Sequence, residues 1–191
     1  MKDADIAAAL LAAGSASRFG SDKLAALLGR KTLLHHSAAA LAAGLPLRAA
    51  VLRASSRIHA PLLERYGYHI LMNEAPDEGL SASLRCALAW AQAQKARAAL
   101  IALADMPFVT PAHYSRLVEK FRGSASGVAY SVCDGRRSPP AIFSQALFAA
   151  LEALKGDVGA RTLLESARAI DGVEAAAPTL DDIDSPKDLS P

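Results

Sequence analysis

The sequence predicts a single α/β domain spanning residues 1–191, built on a mainly parallel, Rossmann-like sheet with helices on both faces. Its length of 191 residues is enough for one well-buried core and short for two full domains. Short apolar runs alternate with longer segments of helical periodicity, the order that strand–helix–strand units produce. Hydrophobic residues make up 52% of the chain and aromatics only 5%, a balance that suits close packing of Ala-rich helices on a sheet.

The elements follow in order. The apolar run at 6–13 comes after a charged start, as in a secretion signal, but it stops at Gly14 and a polar loop. It is too short to span a bilayer, so it reads as a buried strand and the protein is expected to be cytoplasmic, with no membrane partner. Strands are expected at 6–12, 49–53, 69–73, 100–104 and 128–132, with a shorter one at 141–143. Helices are expected at 32–43, 57–66, 81–95, 111–121, 145–154 and 160–169. The helix after Thr110-Pro111 has the best-defined start, with threonine at the N-cap and proline at the first helical position. The tail after Asp181 is polar and proline-containing, so truncation before it is expected to leave the fold intact.

Charge and cysteine usage exclude several classes. A formal net charge of +2 is far from the excess of a dedicated nucleic-acid binder, while a small anionic ligand fits it well. Cys86 and Cys133 form no C-x-x-C pair and have no histidine at a zinc-ligand spacing, so they read as reduced packing residues. His35 and His36 are adjacent on a helix and point in different directions, which makes them packing or surface residues rather than joint ligands.

Chemistry concentrates at strand ends. Leu11-Ala12-Ala13-Gly14-Ser15-Ala16-Ser17-Arg18-Phe19-Gly20-Ser21-Asp22-Lys23 leaves the first strand as a Gly- and Ser-rich loop with two cations. It is neither the Rossmann fingerprint nor a Walker A loop. Small residues let backbone N–H groups converge on an anion, the Arg18 fork can bind phosphate oxygens and Lys23 offers a movable charge. An ordinary strand-to-helix turn with two solvated cations is the competing reading of this stretch. A second apolar run, Leu100 to Ala104, ends in Asp105-Met106-Pro107 and delivers a carboxylate to the same sheet edge. Oxygen ligands of this kind suit Mg²⁺. A turn carboxylate is the alternative, though Thr110 already caps the next helix.

These segments resemble the motifs of the MobA-like NTP transferases, which include the molybdenum cofactor cytidylyltransferases and guanylyltransferases. The first loop is similar to L-A-A-G-x-[GS]-x-R-[FM]-G-x-x-K, with Ala16 as its one mild departure. Asp105 to Pro111 resembles D-M-P-F-V-x-P, and Asp182 to Leu189 resembles D-[IV]-D-T-P-x-D-L. Asn73 to Leu84 is similar to N-x-x-x-x-x-G-L-x-x-S-L, a loop that lies beside base and ribose in relatives. Gly135 to Phe143 and Gly156 to Arg161 correspond to G-x-R-G-[HNP]-P-x-x-F and G-D-x-G-A-R, with Ser138 and Pro139 departing from the first of these. Together they run from Leu11 to Leu189 in the family's order.

The resemblance implies the nucleotide-diphospho-sugar transferase type of fold and a site residue by residue. Lys23, Arg18 and Asp105 would carry catalysis. Leu11, Ala12, Ala13, Gly14, Ser15, Arg18, Gly20, Lys23, Asn73, Gly79, Ser81 and Ser83 would bind nucleotide. Asp105 and Asp184 would hold Mg²⁺, and Arg137 and Arg161 would meet the acceptor. By chemistry alone Ser81 and Ser83 read equally as helix-cap residues, and Asp184 as part of an acidic turn before a short helix begun by Ser185-Pro186. Ala12-Ala13-Gly14 resembles the cytidylyltransferase branch, so the implied reaction moves CMP from CTP to a molybdopterin-type phosphate, with a molybdoenzyme or its maturation factor as a further partner. A nucleotidyltransferase for another phosphorylated acceptor, and a non-catalytic carrier of the finished cofactor, are the alternatives.

Overall fold

The structure, a computed structural model, describes residues 5–14, 19, 22–156 and 171–189. Among the described residues, seven strands form one sheet: β1 (Ile6–Leu11), β4 (Arg48–Leu52), β5 (His69–Met72), β6 (Ala98–Leu103), β7 (Val128–Cys133), β8 (Arg136–Ser144) and β9 (Gly172–Glu174). Their order is β5-β4-β1-β6-β8-β7-β9. All neighbours pair in parallel except at β8, which runs antiparallel to both β6 and β7. The strands β2 (Leu27–Leu28) and β3 (Lys31–Thr32) make a separate small hairpin.

β1 shows why the sheet is covered twice. All six of its residues are buried, as expected for a central parallel strand. Its alternate side chains enter different cores because successive strand residues face opposite ways. Ile6, Ala8 and Leu10 pack with Leu34, Ala38 and Leu41 of α1 (Leu33–Ala42) and with Tyr114, Leu117 and Phe121 of α4 (Pro111–Arg122). Ala7, Ala9 and Leu11 pack with Leu84, Ala87 and Leu88 of α3 (Leu80–Ala93) and with Phe148 and Leu151 of α5 (Phe148–Glu152). The many strand alanines leave room for the helices to approach closely.

Helix starts follow local chemistry. Thr110 Oγ1 accepts from the His113 amide at the head of α4, and Thr32 Oγ1 accepts from the His35 amide at the head of α1. The helix expected at 57–66 is instead a 3₁₀ segment, Ala54–His59, followed by α2 (Ala60–Arg65). Pro61 explains the break, since it stands where the second segment begins and cannot continue the hydrogen bonding of the first. The segment expected at 145–154 likewise opens with a 3₁₀ turn before α5. The helix expected at 160–169 lies outside the described residues.

β8 is longer than the expected 141–143. Asp134 and Gly135 both take positive φ, +49° and +74°, and turn the chain from β7 directly into it. Pro139 and Pro140 sit in an internal strand because the register jumps there, from Tyr130↔Ala141 to Ser131↔Ser138, leaving both prolines in a bulge. The tail is also less dispensable than its composition suggests. Ile183 is 1% exposed, and its amide donates to the Asp105 carbonyl at 3.0 Å. Among the described residues, no helix is long and apolar enough to cross a membrane.

Candidate active site

Because β5, β4, β1 and β6 are parallel, the residues following each of them reach one edge of the sheet, the usual place for ligands in such folds. A cavity of about 800 Å³ extends along this edge. Leu11, Ala12, Ala13 and Gly14 form its floor at the end of β1, and Asp105 enters from the end of β6. Arg53 follows β4, Gly79 ends the connection between β5 and α3, and Ser83 comes from the first turn of α3.

Lys23 is the electrostatic centre. Its Nζ lies 2.9 Å from Asp105 Oδ2 and 2.9 Å from Asp184 Oδ1. Only 12% of its side chain is exposed, against 27% for Asp105 and 51% for Asp184. Burial works against the ammonium, but the two carboxylates outweigh it and hold the Lys23 pKa above the ordinary lysine value. The lysine begins a 3₁₀ turn, Lys23–Ala25, capped by Asp22, whose Oδ1 accepts from the Leu24 amide at 3.1 Å. Asp22 Oδ2 lies 2.8 Å from His59 Nε2, which ties this turn to the segment after β4.

The backbone around Asp105 is held at several points. The Ala104 amide donates to Leu11 O at 3.0 Å, Ser37 Oγ of α1 donates to Ala104 O at 2.8 Å, and Ile183 N donates to Asp105 O. Asp105 Oδ1 is nevertheless buried without a hydrogen-bond partner among the described residues. An ionised carboxylate oxygen in that position is costly unless something positive approaches it. Asp184 is positioned by its own turn, in which Asp188 Oδ2 accepts from the amides of Asp184 and Ser185 and from Ser185 Oγ. Those hydrogen bonds, Ser185's amide foremost, hold the Asp188 carboxyl below the usual carboxylate range. Asp182 behaves oppositely, its carboxyl raised by burial and by the neighbouring Asp184 charge.

The predicted residues divide into groups. Leu11, Ala12, Ala13, Gly14, Lys23, Gly79, Ser83 and Asp105 line the cavity, and Asp184 joins them through Lys23. Gly79 has φ +78° and ψ −161°, a conformation open essentially to glycine alone, and it begins α3 at the cavity wall. Asn73 and Ser81 face inward instead. Asn73 Nδ2 donates to Ser83 Oγ at 3.0 Å and its Oδ1 accepts from the Ala75 amide, while Ser81 Oγ donates to Glu78 O. Their hydrogen bonds shape the loop rather than face the cavity. Arg137 lies on β8, beyond the end of β6, with its guanidinium 5.1 Å from the Tyr130 ring centre. Ser15, Arg18, Gly20 and Arg161 lie outside the described residues.

Sequence reasoning passed over Arg53, Ser55, Ser56 and Asp77, all on the cavity wall. The available signal was Arg53 itself, a cation placed directly after a buried parallel strand. The cysteines are both free, His36 Nε2 pairs with Leu28 O at 3.0 Å, and His35 Nε2 pairs with Tyr66 Oη at 2.9 Å, so both histidines are packing residues.

Comparison with known proteins matches this architecture to one family. Residues 8–172 match the MobA-like NTP transferase domain. The purine catabolism protein PucB of Bacillus subtilis (strain 168) is 33% identical over 134 residues, which cover 68% of this chain and 63% of PucB. Rv0371c of Mycobacterium tuberculosis H37Rv superimposes with a TM-score of 0.81 at 25% identity, over 96% of this chain and 94% of its own, and has also been solved in complex with manganese. A nucleotidyl transferase from Methanothermobacter, Mth528, gives a TM-score of 0.79 at 25% identity, over 96% and 93% of the two chains. The fold is that of the nucleotide-diphospho-sugar transferases, and the chain, which spans about 63% of the length of PucB, belongs to the MobA-like NTP transferase family.

Proposed function

We propose that the protein moves a nucleoside monophosphate, CMP in the first place, from a nucleoside triphosphate to the phosphate of a molybdopterin-type acceptor and releases pyrophosphate. The observation that carries this reading is Lys23 held between Asp105 and Asp184 at the mouth of a cavity floored by Leu11 to Gly14. A phosphate monoester is already an anion near neutral pH, so no protein base is required for its attack on the α-phosphorus. The chain's task is then to bind, align and neutralise.

Each group has a part in that task. Backbone amides of the first loop, with Arg18, Ser15 and Gly20, cradle the triphosphate. The ammonium of Lys23 neutralises charge that builds on the departing pyrophosphate. Gly79 permits close approach of the α3 N-terminus to the nucleotide, and Ser83 offers a hydroxyl there. Arg137, on β8, and Arg161 receive the anionic acceptor.

Asp105 and Asp184 fit a divalent cation. Asp105 Oδ1 is an orphaned buried carboxylate oxygen, and both residues offer the hard oxygen donors that Mg²⁺ or Mn²⁺ prefers. Among the described residues, no cluster of three or more His, Cys, Asp and Glu has metal-binding geometry. The two carboxylates would therefore be the protein's share, as in sites where Mg²⁺ keeps waters and substrate phosphates. Such an ion supplies charge stabilisation to the phosphate oxygens during transfer. The manganese complex of Rv0371c supports the choice of a divalent cation.

Purified protein incubated with each of the four NTPs and molybdopterin, with and without molybdenum, tests this function. Pyrophosphate release that needs both substrates, greatest with CTP, is the expected result. Release with none of the four would favour the carrier reading, and release only with a different phosphorylated acceptor would replace the molybdopterin assignment.

A further inference from the structure

Arg53 is unexplained by the chemistry above. It follows the last residue of β4 and lines the same cavity as Lys23 and Asp105. Its Nε is cut off from solvent and has no hydrogen-bond partner among the described residues. A buried donor in that state is uncommon and calls for an acceptor from a ligand. Lys23, by contrast, already has two carboxylates within 2.9 Å.

Position indicates which part of a ligand reaches it. β4 lies beyond β1 from β6 in the sheet order, so the end of β4 is two strand spacings, roughly 10 Å, from the end of β6. With phosphates held at Lys23 and Asp105, the reach through a ribose brings the base to Arg53. A second charge supports the base over a phosphate, because Asp77 lines the cavity too. An aspartate there repels phosphate oxygens but accepts from an exocyclic amine.

We propose that Arg53 selects the base of the nucleotide, an inference that rests on the nucleotidyltransferase reading above. Guanidinium has donors in a rigid fork and no acceptor, so it matches a base edge with two adjacent acceptors. Cytosine offers O2 and N3 side by side, followed by the N4 amine that an acceptor such as Asp77 suits. Uracil carries a proton on N3 and an oxygen at position 4, which sets donor against donor at Arg53 and acceptor against acceptor at Asp77. Adenine places its amine beside its ring acceptors. Arg53 therefore favours cytosine over uracil and adenine.

Arg53→Met, which keeps length without donors, and Arg53→Lys, which keeps charge without the fork, test this. CTP and UTP binding are measured by calorimetry with Mg²⁺, and kcat/KM is measured for both nucleotides, after melting curves have shown that each variant is folded. The preference for CTP over UTP should fall about tenfold to a hundredfold in Arg53→Met, the loss expected for a charged hydrogen-bond pair. Arg53→Lys should not restore it. Equal losses for both nucleotides would make Arg53 a phosphate ligand and overturn the inference, as would a preference that survives Arg53→Met. A wild-type preference for GTP that Arg53→Met erases would refute the CMP assignment yet support Arg53 as selector, since guanine presents adjacent N7 and O6 acceptors.

Discussion

Lys23→Met removes the ammonium that separates two carboxylates while keeping a stem of similar length. Asp105 Oδ2 and Asp184 Oδ1 are each 2.9 Å from the same nitrogen, so they are no more than about 6 Å apart, within the range where like charges act on one another. Unit charges at that distance repel by about 3 kcal/mol at an effective dielectric of about 20. Asp184 is half-exposed, so solvent screening brings the working figure down to about 1–2 kcal/mol. The variant should melt a few degrees lower than wild type in metal-free buffer. It should also trap Mn²⁺ about tenfold more tightly when no nucleotide is present, because the cation no longer competes with a lysine. Turnover should fall mainly in kcat, since the proposed partner of Lys23 gains charge as pyrophosphate leaves. Differential scanning calorimetry with and without Mn²⁺, and paramagnetic titration of free Mn²⁺, measure both effects. An unchanged melting temperature together with equal Mn²⁺ affinity would refute the neutralising role of Lys23.

Asp105→Asn should abolish transfer while changing stability by less than about 1 kcal/mol, because the backbone bonds at 104–105 and the Ile183 clip stay in place; unfolding seen by circular dichroism would make the residue structural. Asp184→Asn should lower activity far more than Asp182→Asn, as only Asp184 reaches Lys23, and equal activities would move the second carboxylate elsewhere. Truncation before Asp181 is a poorer test than substitution, since burying a side chain such as Ile183 contributes about 1.5–3 kcal/mol and the shortened chain should lose that much in urea denaturation. His113 is held neutral by burial and then by Arg116, its pKa pushed down to about 4. The unfolded chain therefore takes up the proton first, and stability is full above pH 6.5 and falls by about 3 kcal/mol as pH drops to 4. His113→Gln should flatten this step, and a step that persists in the variant would assign it to another group.

Most of the parallel half was legible because its signals are local. Leu100 to Ala104 followed by Asp105 announces both a buried strand and the carboxylate at its end, and Thr110-Pro111 fixes the start of α4. β8 was harder because Pro139 and Pro140 argue against a strand, and only the bulge opposite Tyr130 and Ser131 reconciles them with the sheet. Asp134-Gly135 was the local hairpin signal that would have revealed it. β9 has three residues and no period to read, so only its pairing with β7 makes it a strand. At the site, the motif residues mark which loops matter but not which way each side chain turns. Asn73 matches the motif yet faces Ser83 and Ala75, whereas Arg53 matches no motif considered and lines the cavity. The meeting of Lys23 with Asp184 across 161 positions is a tertiary fact, created when the tail is clipped to β6 through Ile183.

Transfer of a nucleotidyl group to an acceptor phosphate is followed by the label of α-³²P-CTP. With molybdopterin and Mg²⁺, label should enter the pterin product in equal molar amount to the pyrophosphate released, and Asp105→Asn should yield no labelled pterin. Label that remains in CTP, or appears as free CMP without a labelled acceptor, would contradict such transfer.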